Sequence, residues 1–397
     1  MAQDIKITPG SGIPQISFLG SGTSANAIEL NIQSGSDLSF SGSQGEVFNV
    51  GHSTVTVATG NFDRATFNDS IVRIGDSAGT NNGTASIHIG DAAGADQGDG
   101  AVYAVNVGYY AGYQNSGDYN ITMGYAGGMQ MKPDSDYNVA IGYYAGYLAS
   151  GDESVYIGHK AGYGIDGDTD ADSRRVAIGS EALFDGWEND NTVAIGYRAG
   201  HYAVSGYDNV AIGDRAFAWG NTTLRTNSNF DLAYGNTAVG HNALYNPFSE
   251  AAGSDCLWNT AIGYQAGYQA DDNGDLNFAT FLGARAGYNC EQAYGNTAIG
   301  IEAFRDGEGS YNTNVGYNAG HSTTNQHLAI SMGYRAGYSA SDLNYTVAIG
   351  TSACYDAVRA YYTLAIGYQA GKNADSDYSI FLGSNAGAYC VGDYNID

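Results

Sequence analysis

One ten-residue string, NTAIGYQAGY at residues 259–268, returns with small changes along most of the chain. Aligned on its central glycine, the string occurs eighteen times, and most intervals between copies are 15 to 18 residues. Such a repeat is typical of solenoids, in which each unit packs against its neighbours and cannot fold alone. The central glycines are Gly75, Gly90, Gly108, Gly124, Gly142, Gly158, Gly179, Gly196, Gly213, Gly240, Gly263, Gly283, Gly300, Gly316, Gly333, Gly350, Gly367 and Gly383.

Residue types within the repeat follow a fixed pattern when positions are counted from the central glycine as position 0. Positions −3 and −1 carry Val, Ile, Leu, Met or Thr in all eighteen copies, and position −2 is usually Ala. This alternation predicts a β-strand. We expect the branched side chains to be buried in the stack and the Ala face to meet a close neighbour. Position +3 is Ala in every copy except one, where it is Gly127, which predicts a tight contact that excludes larger side chains.

The pattern predicts an all-β fold, a parallel β-solenoid over residues 71–397. At about 4.8 Å per turn, eighteen turns would form a fibre about 85 Å long. Residues 1–70 lie before the repeats and contain alternating strand-like strings such as AIELNI and EVFNV. We expect them to form a β-rich attachment or assembly segment.

The N-[ST]-[VA]-[AI]-G-x-x-A pattern, seen at residues 236–243, 259–266 and 296–303, resembles the head repeats of the YadA family of trimeric adhesins. Similar NTAIGYQA strings occur in bacteriophage tail fibre proteins. The resemblance implies a left-handed β-roll and a homotrimeric fibre whose chains approach through the Ala-rich face. A column of Ala is also compatible with packing inside one chain. It is specific for architecture and weaker for function.

Charge and terminal sequence restrict the function. Asp and Glu outnumber Lys and Arg by 41 to 15, a net charge of −26, which disfavours nucleic acid and anionic membranes as partners. The N-terminus MAQDIKITPG has no signal-peptide pattern, and no apolar run has the roughly 20 residues of a membrane span. We expect assembly in a cytoplasm without membrane insertion. Free thiols are expected for Cys256, Cys290, Cys354 and Cys390, which show no C-x-x-C spacing.

These features favour a phage structural fibre, in the tail or head, that is part of the virion and extracellular after lysis. It would adhere to host-surface polysaccharide or protein and contact other virion proteins through residues 1–70. A purely structural virion decoration or filament is the main alternative, followed by a bacterial surface adhesin. No enzyme signature stands out, although paired carboxylates of a polysaccharide-degrading spike would not be recognisable from sequence.

Aromatic residues supply the candidate receptor contacts. Intervals between repeats lengthen to 20–27 residues at several places between residues 158 and 283, and insertions in a solenoid emerge as surface loops. The candidates in this region are Trp187, Tyr207, Trp219, Tyr245, Phe248 and Trp258. Tyr also recurs at positions +1 and +5, and Asn recurs before the strand, which predicts stacked side-chain ladders. The Tyr ladders would stiffen the fibre or, alternatively, contact glycans.

One insertion contains four alternating carboxylates, Asp166, Asp168, Asp170 and Asp172, in the string DGDTDADS. The string resembles the start of an EF-hand loop, and Ca²⁺ is the cofactor it would bind. Ala177 stands where the bidentate Glu of such a loop belongs. A solvated acidic loop is therefore the alternative, and no other cofactor is expected.

Overall fold

The structure is a computed structural model that describes residues 72–74, 78, 86–96, 101–132, 135–164, 173–184, 190–202, 206–219, 233–247, 255–270 and 276–397. Contacts divide the chain into two units, Met1–Ala65 and Thr66–Asp397. All described residues belong to the second unit, and the predicted attachment segment at 1–70 lies outside them. Within the described ranges, no helix has the length and apolar character that a membrane span needs.

Short strands alternate with tight corners in the described residues of the second unit. A main sheet contains eighteen strands. They are β1 (Val72–Ile74), β2 (Ile87–Ile89), β3 (Val105–Val107), β4 (Ile121–Met123), β5 (Val139–Ile141), β6 (Val155–Ile157), β7 (Val176–Ile178), β8 (Val193–Ile195), β9 (Val210–Ile212), β11 (Thr237–Val239), β13 (Thr260–Ile262), β15 (Thr280–Leu282), β16 (Thr297–Ile299), β17 (Thr313–Val315), β18 (Ile330–Met332), β19 (Val347–Ile349), β20 (Leu364–Ile366) and β21 (Ile380–Leu382). A smaller sheet contains β10 (Ala233–Tyr234), β12 (Cys256–Leu257) and β14 (Leu276–Asn277).

Every strand of the main sheet pairs in parallel with the strand of the next repeat, and equivalent positions face each other. In the β5–β6 pair, for example, Val139 is opposite Val155 and Ile141 is opposite Ile157. Hydrogen bonds between successive turns continue beyond the strands, as in the 3.0 Å bond from the Tyr144 amide to the Tyr125 carbonyl. The prediction of an all-β parallel β-solenoid is confirmed for the described residues.

Left-handed backbone conformations form the corners of each turn. Residues at positions −5, +2, +4 and +6 repeatedly have φ near +55°, including non-glycine residues such as Tyr137 and Arg198. The central glycine has φ near +135°, as at Gly283, a region that side chains with a Cβ rarely adopt. A Cβ on Gly283 would lie only 2.5 Å from the carbonyl oxygen of Gly300 in the next turn. The glycine column is therefore required both by the corner and by the close approach of successive turns.

The strands place their small residues inside and their branched residues outside. Ala261 at position −2 of β13 is fully buried, whereas its neighbour Ile262 at position −1 is 39% exposed. The strands of the main sheet from β2 onward show the same pattern, with position −2 buried and the flanking positions partly or fully exposed. The expectation that the branched side chains are buried and that Ala faces a neighbouring chain is therefore wrong. The reason is that the side chains at positions −4, −2, +3 and +4 share the interior of the coil. This interior is narrow, so it accommodates the small residues, and the branched residues lie outside it.

Large side chains inside the coil are accommodated by small partners. Tyr156 is fully buried at position −2, and a Cβ on Gly146 of the preceding turn would lie 2.9 Å from its ring. Where position +4 is large instead, as at Phe304, position −2 of the same turn is Ala, here Ala298. Large interior side chains occupy position −2 at Tyr156, Phe281 and Phe381, and position +4 at Leu183, Phe217, Leu244 and Phe304. Each turn therefore holds one large apolar side chain at most at these two positions.

A buried ladder of Asn side chains at position −4 joins successive turns, as predicted. Asn259 Oδ1 accepts a 2.8 Å hydrogen bond from the Ala279 amide, and its Nδ2 donates to the Leu276 carbonyl at 2.6 Å. The Asn259 amide in turn donates to Asn236 Oδ1 at 3.0 Å. These bonds satisfy backbone groups that the corner leaves unpaired. The ladder residues are Asn120, Asn138, Asn209, Asn236, Asn259, Asn296 and Asn312, all buried.

Candidate binding surfaces

The outer side of the main sheet is a largely apolar surface, which we call the strand face and define by positions −5, −3, −1 and +1. Charged side chains occur on it only at positions −5 and +1, as at Glu153 and Asp214. Positions −3 and −1 contain no charged residue in any of the eighteen repeats. Most of the exposed large apolar side chains of the described residues belong to this face. At position −1 they are Ile74, Ile89, Met123, Ile157, Ile195, Ile212, Ile262, Leu282, Ile299, Met332, Ile366 and Leu382. Continuous exposed apolar surface of this kind is typical of interaction sites.

Aromatic ladders at positions +1 and +5 are present as predicted. At position +1, the ring centroids of Tyr125 and Tyr143 are 5.2 Å apart with an interplanar angle of 16°. His159 stands at position +1 of the next repeat and continues this column, 5.4 Å from Tyr143. At position +5, Tyr268 and Tyr288 stack at 5.0 Å and 6°. These contacts tie each turn to the next by about 0.5–1.5 kcal/mol per pair.

A third aromatic column, at position −5, was not anticipated from the sequence. Tyr345, Tyr362 and Tyr378 stack with centroid separations of 4.7 and 5.3 Å. These rings are exposed, and the residues have φ of +54°. A bulky residue seldom adopts this conformation, so aromatic side chains are retained here despite the strain. The signal that could have revealed the column is the recurring D-Y-N or N-Y-T string just before the strand.

Two of the predicted receptor residues, Trp219 and Tyr245, meet at a corner of the coil. They line a cavity of about 110 Å³ together with Arg198, His201, Tyr202, Arg215 and Ala218. Trp219 is only 5% exposed, so it forms part of the wall and does not project from the surface. Tyr245 is half-buried and stacks on Tyr268 at 5.3 Å.

Electrostatics at this cavity differ from those of the acidic chain as a whole. Arg198 Nε donates to Glu181 Oε2 at 2.7 Å, and His201 Nε2 lies 3.5 Å from the same oxygen. Burial pushes the pKa of Glu181 upward, but the hydrogen bond and charge of Arg198 outweigh it, so this pKa is below its ordinary value. Arg215 lies 3.8 Å from Asp214 and close to the Tyr197 ring. Two arginines thus converge where aromatic rings form a concave surface, which suits an anionic or polyhydroxylated group.

The other predicted receptor residues do not join this cavity. Tyr207 stacks on Tyr234 at 5.3 Å. Trp258, 58% exposed, lies over Gly235 at position −5 of the strand face. The structure therefore divides four of the six candidates between two corners of the coil. Trp187 and Phe248 lie outside the described residues.

The predicted calcium ligands Asp166, Asp168, Asp170 and Asp172 also lie outside the described residues. Among the residues that are described, no group of three or more His, Cys, Asp or Glu side chains is arranged to hold a metal ion. The four cysteines are free thiols, as expected, and Cys390 alone among them is not fully buried.

Geometrically, these surfaces are suited to binding: the strand face by apolar contact, the ladders by their aromatic edges, and the corner cavity by combined aromatic and cationic groups. No protein-family model matches this chain, and no curated protein matches it either.

Proposed function

We propose that this chain is a structural fibre protein of a bacteriophage, in the tail or the head, which assembles with copies of itself and adheres to glycan on the host cell surface. The left hand of the coil and a three-chain assembly are part of the proposal and rest on the resemblance of the repeats to YadA-like heads. Assembly is carried by one observation, the exposed apolar strand face.

The size of the strand face supports assembly. The uncharged columns at positions −3 and −1 lie on strands of three residues, so about three residue lengths across and about seventeen steps between turns give about 10 Å by 80 Å, or about 800 Å². The largest apolar patch of an ordinary monomer is about 300–600 Å², and a stable interface needs about 800 Å² from each partner. A second and a third copy of the chain are partners of matching length and matching apolar character. Association would therefore use the branched residues and not the Ala column, which is interior.

Adhesion is supported by the ladder at position +5, which lies outside the strand face, and by the corner cavity. Partly exposed Tyr edges such as those of Tyr268 and Tyr288 repeat at the spacing of the turns, so a long polymer could meet the same chemistry many times. Repetition of weak contacts raises overall avidity without a strong single site. The cavity with Trp219, Tyr245, Arg198 and Arg215 adds a concave place on this otherwise acidic chain where an acidic or hydroxyl-rich sugar could bind.

A purely structural role, as a virion decoration or a filament without receptor binding, is the second candidate. One observation favours it: the four described residues of the predicted receptor cluster are divided between two corners, and Trp219 is buried. In this case the ladders serve to stiffen the coil, and the strand face serves to assemble it.

Assembly can be tested by native mass spectrometry of the purified chain and of a variant carrying Ile262→Glu and Ile299→Glu. Both residues are on the strand face, 39% and 36% exposed, so the substitutions should leave the coil folded. We expect trimers for the parent and for the control Ser341→Glu, which is exposed away from the face, and monomers for the double variant. A monomeric parent would refute the proposed assembly.

Adhesion can be tested by the binding of labelled protein to an array of bacterial surface polysaccharides, with and without a chelator. Binding to a defined polysaccharide supports the adhesive fibre, and loss of binding with the chelator supports the calcium loop at residues 166–172. Absence of binding across the array, with trimers intact, favours the structural candidate. Release of reducing sugar from a bound polysaccharide would instead indicate a degrading enzyme.

A further inference from the structure

One repeat departs from the pattern shared by the others. Its position +2 is Ala126 and its position +3 is Gly127, the single non-Ala residue in that column. The repeats immediately before and after it carry Tyr110 and Tyr144 at position +2, and no other repeat has an aromatic residue there. Elsewhere this corner is occupied by Ala, Ser, Asn, Gln, Lys, Arg or Glu. The fold therefore does not require Tyr at this position.

These departures create a cavity. It has a volume of about 110 Å³ and is lined by Tyr110, Tyr125, Ala126, Met129 and Tyr144. Ala126 is fully buried at its base. Tyr110 and Tyr144 are two turns apart, so about 10 Å of the coil separates their backbones. A third Tyr at position +2, between Tyr110 and Tyr144, would fill this space, but residue 126 is Ala and contributes only a methyl group.

The two boundary tyrosines are held rigidly by their own turns. Tyr110 meets the edges of Tyr109 and Tyr113, with centroids 4.4 and 5.0 Å away and interplanar angles of 78° and 77°. Tyr144 meets Tyr143 and Tyr147 in the same way, at 4.7 and 5.2 Å. Side chains fixed before binding lose little conformational entropy when a ligand enters.

Hydroxyl groups surround the aromatic surface. The pKa of Tyr109 is raised above its ordinary value, first by its hydrogen bond with Tyr110. The pKa of Tyr144 is raised mainly by burial and also by a hydrogen bond with Tyr125. The phenols of Tyr109 and Tyr144 are therefore protonated at neutral pH, and phenol hydroxyls can donate or accept hydrogen bonds. The lining contains no charged side chain.

We propose that the cavity between Tyr110 and Tyr144 binds a single neutral pyranose unit of a glycan. Aromatic surface matches the apolar C–H face of a sugar ring, and the phenol hydroxyls match its hydroxyl groups. An anionic sugar is disfavoured because the site offers no cation and the chain carries a net charge of −26. This inference rests on the proposed adhesive function and names the ligand class of one additional site.

The probe is methyl β-D-glucopyranoside, with methyl β-D-galactopyranoside as a second neutral probe and glucuronic acid as the anionic comparator. Saturation-transfer NMR would report binding to the full chain. A small ligand in a half-open site is expected to have a dissociation constant of about 1 mM. Binding of at least one neutral probe, with no binding of glucuronic acid, supports the proposal. Binding of glucuronic acid alone, or of no probe, overturns it.

Two variants localise the binding. Ala126→Tyr continues the column with the residue found in the adjacent turns and fills the cavity, whereas Tyr144→Gln opens it with a residue that occupies the same corner as Gln265 and Gln369. Both should weaken binding at least about tenfold, while the control Gln369→Tyr, which adds Tyr to a distant turn, should bind like the parent. Unchanged binding by folded Ala126→Tyr protein would place the sugar elsewhere and refute the site.

Failure of the site and failure of the adhesive function give different results. If Ala126→Tyr protein binds the neutral probes like the parent while the parent adheres to bacterial polysaccharide, the cavity is not the sugar site and adhesion remains. If neutral probes bind the cavity but no polysaccharide retains the protein, the site remains and the adhesive function fails.

Discussion

Exchange of one large side chain between the two interior columns tests how the coil is packed. Phe281 is fully buried at position −2, and a Cβ on Gly267 of the preceding turn would lie 2.9 Å from its ring. In the next turn the large residue is at position +4, Phe304, and position −2 is Ala298. We therefore consider Phe281→Ala and Gly287→Leu, singly and together, because the double variant gives this turn the arrangement of its neighbour.

Magnitudes follow from the packing. Phe281→Ala leaves a cavity and is expected to cost about 3–5 kcal/mol. Gly287→Leu alone forces a side chain against the Phe281 ring and should cost about 1–3 kcal/mol or more. Residue 287 has φ +62°, but Leu244 has φ +46° at the same position of its own turn, so Leu is compatible with the corner. The double variant should recover about 1–3 kcal/mol relative to the sum of the single variants.

Native-state hydrogen exchange measures the change in stability of individual turns. A local measurement is needed because a repeat array need not unfold in one step. Amides that bond across these turns, such as Gly283 to the Ile262 carbonyl at 2.9 Å, report the opening free energy. Additive costs in the double variant would show that the two columns do not compensate, and a Phe281→Ala cost below about 1 kcal/mol would show that the interior is not tightly packed.

Three further predictions concern the ladder, a histidine and the thiols. Asn259→Ala should cost about 2–4 kcal/mol in thermal or exchange measurements because it leaves the Ala279 amide and a carbonyl unpaired, whereas Asn259→Thr, a residue found in this column, should cost less. Burial, followed by the nearby Arg305 charge, lowers the pKa of His321. The unfolded chain therefore binds a proton that the folded chain resists. Stability should fall as the pH drops below about 6.5, and the fall should be smaller in His321→Tyr protein. Burial raises the pKa of Cys354 to about 12, so a thiol reagent at pH 8 should modify half-buried Cys390 first and Cys354 only after unfolding; fast labelling of Cys354 in folded protein would contradict this.

The repeat determined much of the fold in advance. Period, strand position and parallel register could be predicted because the glycine column and the apolar positions recur together in all eighteen copies. The orientation of the strands was predicted wrongly, because apolar alternation alone does not say which face is interior. The correct signal was present in position −4. Asn138 at position −4 and Ala140 at position −2 lie on the same face of the chain, and both are buried. Tyr137, Val139 and Ile141 lie on the opposite, more exposed face.

The binding surfaces were less predictable. The ladders at positions +1 and +5 could be predicted from the sequence, because equivalent residues of successive turns are aligned along the coil. Insertions indicated a region rich in aromatic residues, but not the corner that each residue occupies; Trp219 faces inward while Trp258 is exposed. The cavity at Ala126 depends on three adjacent turns, and a comparison of each repeat with the consensus alone does not show that their departures coincide in space.

The register of the strands has a consequence for how such a chain can change in evolution. Because each turn contacts the next through equivalent positions, as in the pairing of Ala348 with Ala365, one complete turn can be removed or duplicated and the flanking turns still fit each other. Gain or loss of residues within a strand would move its ladder positions out of register with the neighbouring turns, whereas extra residues between strands leave the ladders aligned, as for Tyr245 and Tyr268 across an interval of 23 residues. The reach of the molecule can therefore vary by recombination in discrete steps, independently of its ligand sites.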